Sequence, residues 1–258
     1  MSAGTFVPRP GAAPLTRQVA AQSRMETRLL LRNGEQLLLA VVIPLIVLIG
    51  GVEGARHVDL NLTHSAVDTL APGILALAVM STSFTSLAIA TGFERRYGVL
   101  KRLGSAPLPR SGLLMGKVGA LLVVELLQII VLSIAAGLMG WSPSVTASGL
   151  LGALCCVLLG TAAFASLGLL VAGTLRAEAT LAAANLIYLL LLAGGAVVLP
   201  TTTYGGFGHV LGFLPSGALG SGLRAGFLEG SFAWPQLVVL AAWTAIGAVL
   251  TARTFKWE

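Results

Sequence analysis

The chain has 258 residues, of which 56% are hydrophobic and only 10% charged, and its mean hydropathy is +0.91. A domain in water carries roughly a quarter charged residues, so this chain cannot clothe a water-facing surface and is predicted to cross a membrane several times. The formal net charge of +6 does not point to nucleic acid. The basic residues fall between apolar runs, where they set orientation in a bilayer, and no basic patch is interleaved with aromatics.

In chain order, residues 1–14 are rich in Pro, Gly and Ala without an apolar core, which predicts a disordered cytoplasmic leader rather than a signal peptide. Residues 15–35 predict a helix too polar to span. Arg17, Arg24 and Arg28 line one face, and Leu15, Val19, Leu29 and Leu30 gather opposite, interrupted by Gln22 and Glu26. Such a helix is expected to lie in the interface with its arginines toward lipid phosphates. A first span follows at 37–52, short for the roughly 20 residues a bilayer core requires. A polar external loop, 53–68, holds His57 and His64, and a second span covers 69–92. Its middle, Ser81-Thr82-Ser83-Phe84-Thr85-Ser86, offers hydroxyls either to helix–helix hydrogen bonds or to the polar wall of a path.

Residues 94–110 form the one long charged run between two strongly apolar segments in mid-chain. Arg95, Arg96, Lys101, Arg102 and Arg110 stand against a single acid, Glu94. Val99, Leu100 and Leu103 sit at helical spacing, and Pro107 and Pro109 stop the helix. Read by itself, this is a short amphipathic cytoplasmic helix or a plain positive-inside loop. Further spans are predicted at 113–139, 145–173, 179–199 and 236–252. Between the last two lies a Gly-rich segment, too apolar for an ordinary loop and too broken for a span. Irregular backbone at membrane depth survives only when buried in protein or lining a cavity, so this segment is expected to dip in from outside, the alternative being a surface loop. With both termini inside, fourteen of the sixteen Lys and Arg fall on the cytoplasmic side, leaving only Arg56 and Arg224 outside. The fold class expected is therefore all-α integral membrane, with six spans in a single domain over 15–258.

The order Glu94-Arg95-x-x-Gly98-x-Leu100-x-x-Leu103-x-x-x-Pro107 resembles the first cytoplasmic loop of ABC-2 type transporter membrane subunits, a family of drug, polysaccharide and lipid exporters. Pro215 and Arg224, nine residues apart before the last span, add a partial second point of resemblance; Ser216 and Ala218 depart from the family's usual residues. The resemblance implies an elbow helix before span 1 and a coupling helix that docks on a separate ATPase subunit, with Arg95, Arg96, Lys101 and Arg102 steering the docking. It also implies an external re-entrant helix, a second permease subunit, identical or homologous, and Mg-ATP bound by the ATPase rather than by this chain. Leu100 and Leu103 are the anchors expected at the ATPase. Export of a hydrophobic or amphipathic cargo from a bacterial plasma membrane follows from the same resemblance.

One acid lies deep in a span. Glu125, with Gln128 one turn on, sits mid-way in 113–139, where a charge costs on the order of 3 kcal/mol. It is either a polar contact in a translocation path or an inter-helix hydrogen bond, with Gln128 or with Asn185 and Tyr188. Gly112–Lys117 falls one residue short of a phosphate loop and lacks its Ser/Thr. The adjacent Cys155 and Cys156 read as small core residues, not a metal site. A secondary transporter would show more intramembrane charge, and an intramembrane enzyme would need paired catalytic residues at matched depth.

Overall fold

The computed structural model describes residues 13–57, 64–103 and 108–255, without the side chains of 35–39, 56 and 110. The leader before residue 13, Pro107, Lys256 and Trp257 lie outside the described residues. Within them every regular element is helical. Helix α1 (Leu15–Arg32) precedes α2 (Gly34–His57). Next, α3 (Ala66–Met80), a π-helical turn (Ser81–Ser86) and α4 (Leu87–Arg96) run on as one 31-residue helix. After the short α5 (Val99–Leu103) come α6 (Arg110–Leu138), α7 (Ala147–Thr174) and α8 (Ala177–Gly194). A 3₁₀ stretch (Thr201–Phe207), α9 (Gly208–Leu211) and α10 (Pro215–Phe227) lead to α11 (Trp234–Thr254).

Five of these helices are long and apolar enough to cross a membrane: Ala66–Arg96, Ser111–Leu138, Ala147–Thr174, Ala177–Gly194 and Trp234–Thr254. The apolar part of α2, Ala40–Ala55, is shorter. At 1.5 Å per residue the α3–α4 helix is about 45 Å long, against a hydrocarbon core of roughly 30 Å, so at least one end must emerge from it.

The core is organised on α3. Every residue from Thr69 to Met80 is buried, with α2, α6, α7 and α10 packed around it. Below the π turn, α4 changes partners to α7 and α8, and α11 packs along α7. The outer helices keep their apolar residues on the surface, among them Leu126, Ile130, Leu186, Leu189 and Val238. That arrangement suits hydrocarbon or another apolar protein face, not water.

Three expectations change in detail. Helix α2 continues to His57, one turn beyond the predicted start of the first external loop, and the His57 ring nitrogen Nδ1 sits 2.9 Å from the Glu53 carbonyl oxygen. The fifth span ends at Gly194 rather than 199: Gly195 caps it and Ala196 has turned to φ 51°, out of the right-handed helical region. The third correction concerns α1, whose buried residues are Gln22 and Glu26, whereas Leu15, Met25 and Leu29 are exposed. The two residues that spoilt its apolar face are its contact with α6.

Small residues permit the closest approaches. Gly168 on α7 faces the π turn so closely that a Cβ there would stand 2.8 Å from the Phe84 carbonyl oxygen, while the Phe84 ring meets Phe164 edge-on. Gly168→Leu is therefore expected to cost about 1–3 kcal/mol. A lower melting temperature by circular dichroism in detergent would show this; a wild-type melt would mean that the two backbones are not in tight contact.

Candidate functional site

The described residues of the charged stretch end α4, turn at Tyr97–Gly98, form the short α5 and open α6. Gly98, at φ 68°, makes the turn between α4 and α5 in a conformation that side chains rarely adopt. Tyr97 stacks back on Phe93 and is largely exposed. On α5, Lys101 and Arg102 are exposed and Leu103 is half-buried, whereas Leu100 is only 2% exposed. Leu100 is thus packed inside this chain and is not available as an anchor for a partner; Val99 and Leu103 present what apolar surface there is.

The two arginines before the turn are used within the chain. Arg95 donates to the carbonyl oxygens of Ala172, at 2.8 Å, and Leu175. It thereby caps the C-terminal end of α7, where a cation is favoured by the unpaired carbonyls. Arg96 pairs with Glu178 in the first turn of α8. Exposed ion pairs of this kind contribute about 0–1 kcal/mol, so Arg95 is the firmer tie. Together they fasten the α4–α5 turn to the α7–α8 connection.

Behind this turn lies a charge cluster that sequence reasoning missed. Lys117 Nζ donates to Glu94 Oε1 at 2.7 Å and lies 3.1 Å from Glu26 Oε1. Gln22 Nε2 donates to Glu26 at 2.9 Å. The lysine side chain is 5% exposed. Gly116 and Gly119, on either side of it, let α1 come close: a Cβ at Gly116 would stand 2.5 Å from Gln22 Cγ. Helices α1, α4 and α6 are therefore joined through one ammonium group. The available signals were a lysine about two turns inside an apolar helix and two polar residues on an otherwise apolar face.

The mid-span polar residues divide into separate contacts. Glu125, 1% exposed, accepts a 2.6 Å hydrogen bond from Thr161 of α7, a residue not singled out in the sequence. Gln128, fully buried, accepts from Thr82 of the π turn and donates to the Ala40 carbonyl of α2, both at 2.8 Å. So Glu125 is bonded to neither Gln128 nor α8. Tyr188 is buried in the main core, and Asn185 is exposed on α8. In the hydroxyl run, Thr82 bonds between helices and Ser83 bonds back to the Val79 carbonyl.

On the far side of α3, Pro215 opens α10, whose residues from Pro215 to Ala218 are all buried. Arg224, 6% exposed, donates to the carbonyl oxygens of Val197 (2.8 Å), Val198 (2.5 Å) and, through Nε, Thr69 (3.3 Å). Ser216 Oγ, at a position departing from the family pattern, donates to the Gly195 carbonyl at 2.8 Å. The irregular stretch after α8 is thus satisfied by α10 side chains. Gly73 makes room for it, since a Cβ there would meet the Val198 oxygen at 2.5 Å.

Comparison with known proteins bears on these features together. The family model described as ABC-2 type transporter matches residues 14–228, a range that contains the charge cluster, the α4–α5 turn and Arg224. A comparison with curated proteins finds no match.

Two substitutions probe the geometry. Lys117→Met leaves the buried Glu26 and the partly buried Glu94 carboxylates without their shared cation and is expected to cost about 3–5 kcal/mol, read as loss of monodisperse protein in size-exclusion chromatography; a stable, monodisperse variant would show the cluster to be hydrated. Arg224→Leu strands three carbonyl groups at about 1–3 kcal/mol each. It is expected to expose 195–200 to proteolysis while leaving α1 and α6 protected, and unchanged cleavage would contradict the assignment.

Proposed function

The chain belongs to the ABC-2 type transporter family, and from that premise we propose that it is the permease subunit of an exporter driven by ATP hydrolysed in a separate chain. In this reading α2 completes a set of six spans with both termini in the cytoplasm, α1 is the elbow and α5 the coupling helix. The elements 201–227 form an external re-entrant cap. A second permease, identical or homologous, faces this one, and Mg-ATP is held by the partner ATPases. The cargo is hydrophobic or amphipathic, a drug-like or lipid-like molecule, and the membrane is a bacterial plasma membrane.

The observation that carries the reading is the double use of the α4–α5 turn. Its outward side exposes the basic Lys101 and Arg102, with the half-buried Leu103 beside them; such cations suit an acidic groove and would raise the rate of encounter. Its inward side is bonded through Arg95 and Arg96 to the α7–α8 connection and through Glu94 to α6 and α1. A push on α5 is therefore delivered to four helices at once. A loop that only fixed topology would not require these ties.

Co-expression with candidate ABC ATPase subunits, followed by pull-down and transport in vesicles, tests the proposal. Arg102→Glu and Leu103→Asp are expected to abolish cargo-stimulated ATP hydrolysis and transport, with insertion and monodispersity unchanged. Normal transport by both variants would refute coupling through α5.

A further inference from the structure

A cavity of about 170 Å³ opens beside the charge cluster, between α1, α4 and α6. A single water needs only about 10–15 Å³ on this scale, so the space holds more than one. One wall is charged, with Glu26, Glu94 and Lys117, and the remainder is largely apolar, including Leu29, Leu87, Ala90 and Leu121. The charges do not balance: two carboxylates share one ammonium. Glu94 Oε1 takes the lysine at 2.7 Å, while Glu94 Oε2 is buried and has no hydrogen-bond partner among the described residues. A buried carboxylate oxygen without a donor is costly. The missing complement is one positive charge with an N–H donor, attached to something apolar.

We propose that this cavity binds the primary ammonium head of an amphiphile, with the head donating to Glu94 Oε2 and the alkyl chain leaving past Leu29 and Leu87. Lys117 already occupies the gap between the carboxylates, which disfavours a multivalent metal ion and leaves one oxygen for one donor. Leu29, at the rim, is 57% exposed on α1, so the tail has an apolar way out. The site requires membrane insertion but not the proposed coupling to an ATPase, and it can fail or stand independently of that reading. Two sources share this chemistry: an aminophospholipid of the surrounding leaflet and an amphiphilic amine carried as cargo.

The test uses the full chain in nanodiscs of phosphatidylcholine, with dodecylamine as probe and binding followed by displacement of a fluorescent alkylamine. Saturable binding is expected, at least ten-fold weaker for dodecyltrimethylammonium, which keeps the charge and lacks N–H donors. Glu94→Gln is expected to weaken dodecylamine binding about ten-fold or more. Ala90→Leu, which narrows the cavity and leaves all three charged groups in place, should do the same with unchanged helix content. Competition by phosphatidylethanolamine in the disc would identify a lipid site; dodecylamine binding indifferent to that lipid would identify a cargo site. Equal affinity in wild type, Glu94→Gln and Ala90→Leu, or no saturable binding, would overturn the proposal and leave a cavity filled by water.

Discussion

Polar groups carried out of water by this chain have to find their partners inside it, and the architecture follows from where that happens. At one end of α3 the unravelled backbone after α8 hangs on the Arg224 guanidinium, which binds carbonyl groups on two separate segments. At the far end of the same long helix, Glu94 meets Lys117 and, through it, Glu26. Between them Gln128 connects the π turn to α2. Hydrophobic burial cannot select among these helices in lipid, where tails are as apolar as leucine. The few polar contacts and the glycine-lined approaches therefore have a large share in deciding which helix lies against which.

This distribution places the least tightly enclosed polar contacts at the end where the charged turn lies. The Arg95 and Arg96 contacts lie at the exposed ends of α7 and α8, whereas Gln128, Glu125 and Arg224 are enclosed. A bundle so arranged is stiff through its middle and adjustable where α5 emerges. Such a gradient suits a part that receives motion at one end and holds its shape at the other.

Much of this was legible beforehand. Apolar run length located the long helices: between Lys117 and the end of α6 at Leu138, Glu125 is the one charged residue. Pro215, noted in the sequence only for its spacing to Arg224, stands at the start of α10, where its missing N–H is no loss. What could not be read was pairing. Glu125 was matched to the polar residues nearest in type, Gln128, Asn185 and Tyr188, yet its partner is Thr161, a hydroxyl that looks unremarkable in an apolar run. Lys117 was set aside with a failed phosphate-loop pattern, although a cation at that depth had to be neutralised by something. On α1 the helical wheel identified the right face and the wrong reason, since Gln22 and Glu26 face protein rather than breaking a lipid contact. Spacing along a chain reports one helix's own geometry; the neighbour that satisfies a side chain comes from another part of the chain.

The wide turn at Ser81–Ser86 has a geometric corollary. Its hydrogen bonds reach one residue further than in an α-helix, so the azimuth of every side chain after it is offset from that of every side chain before it. One continuous rod therefore behaves as two cams set at different angles, the upper bearing on α2 and α10 and the lower on α7 and α8. Excising the surplus residue would restore a uniform screw and swing Glu94 by about 100° about the axis, away from the ammonium it now meets.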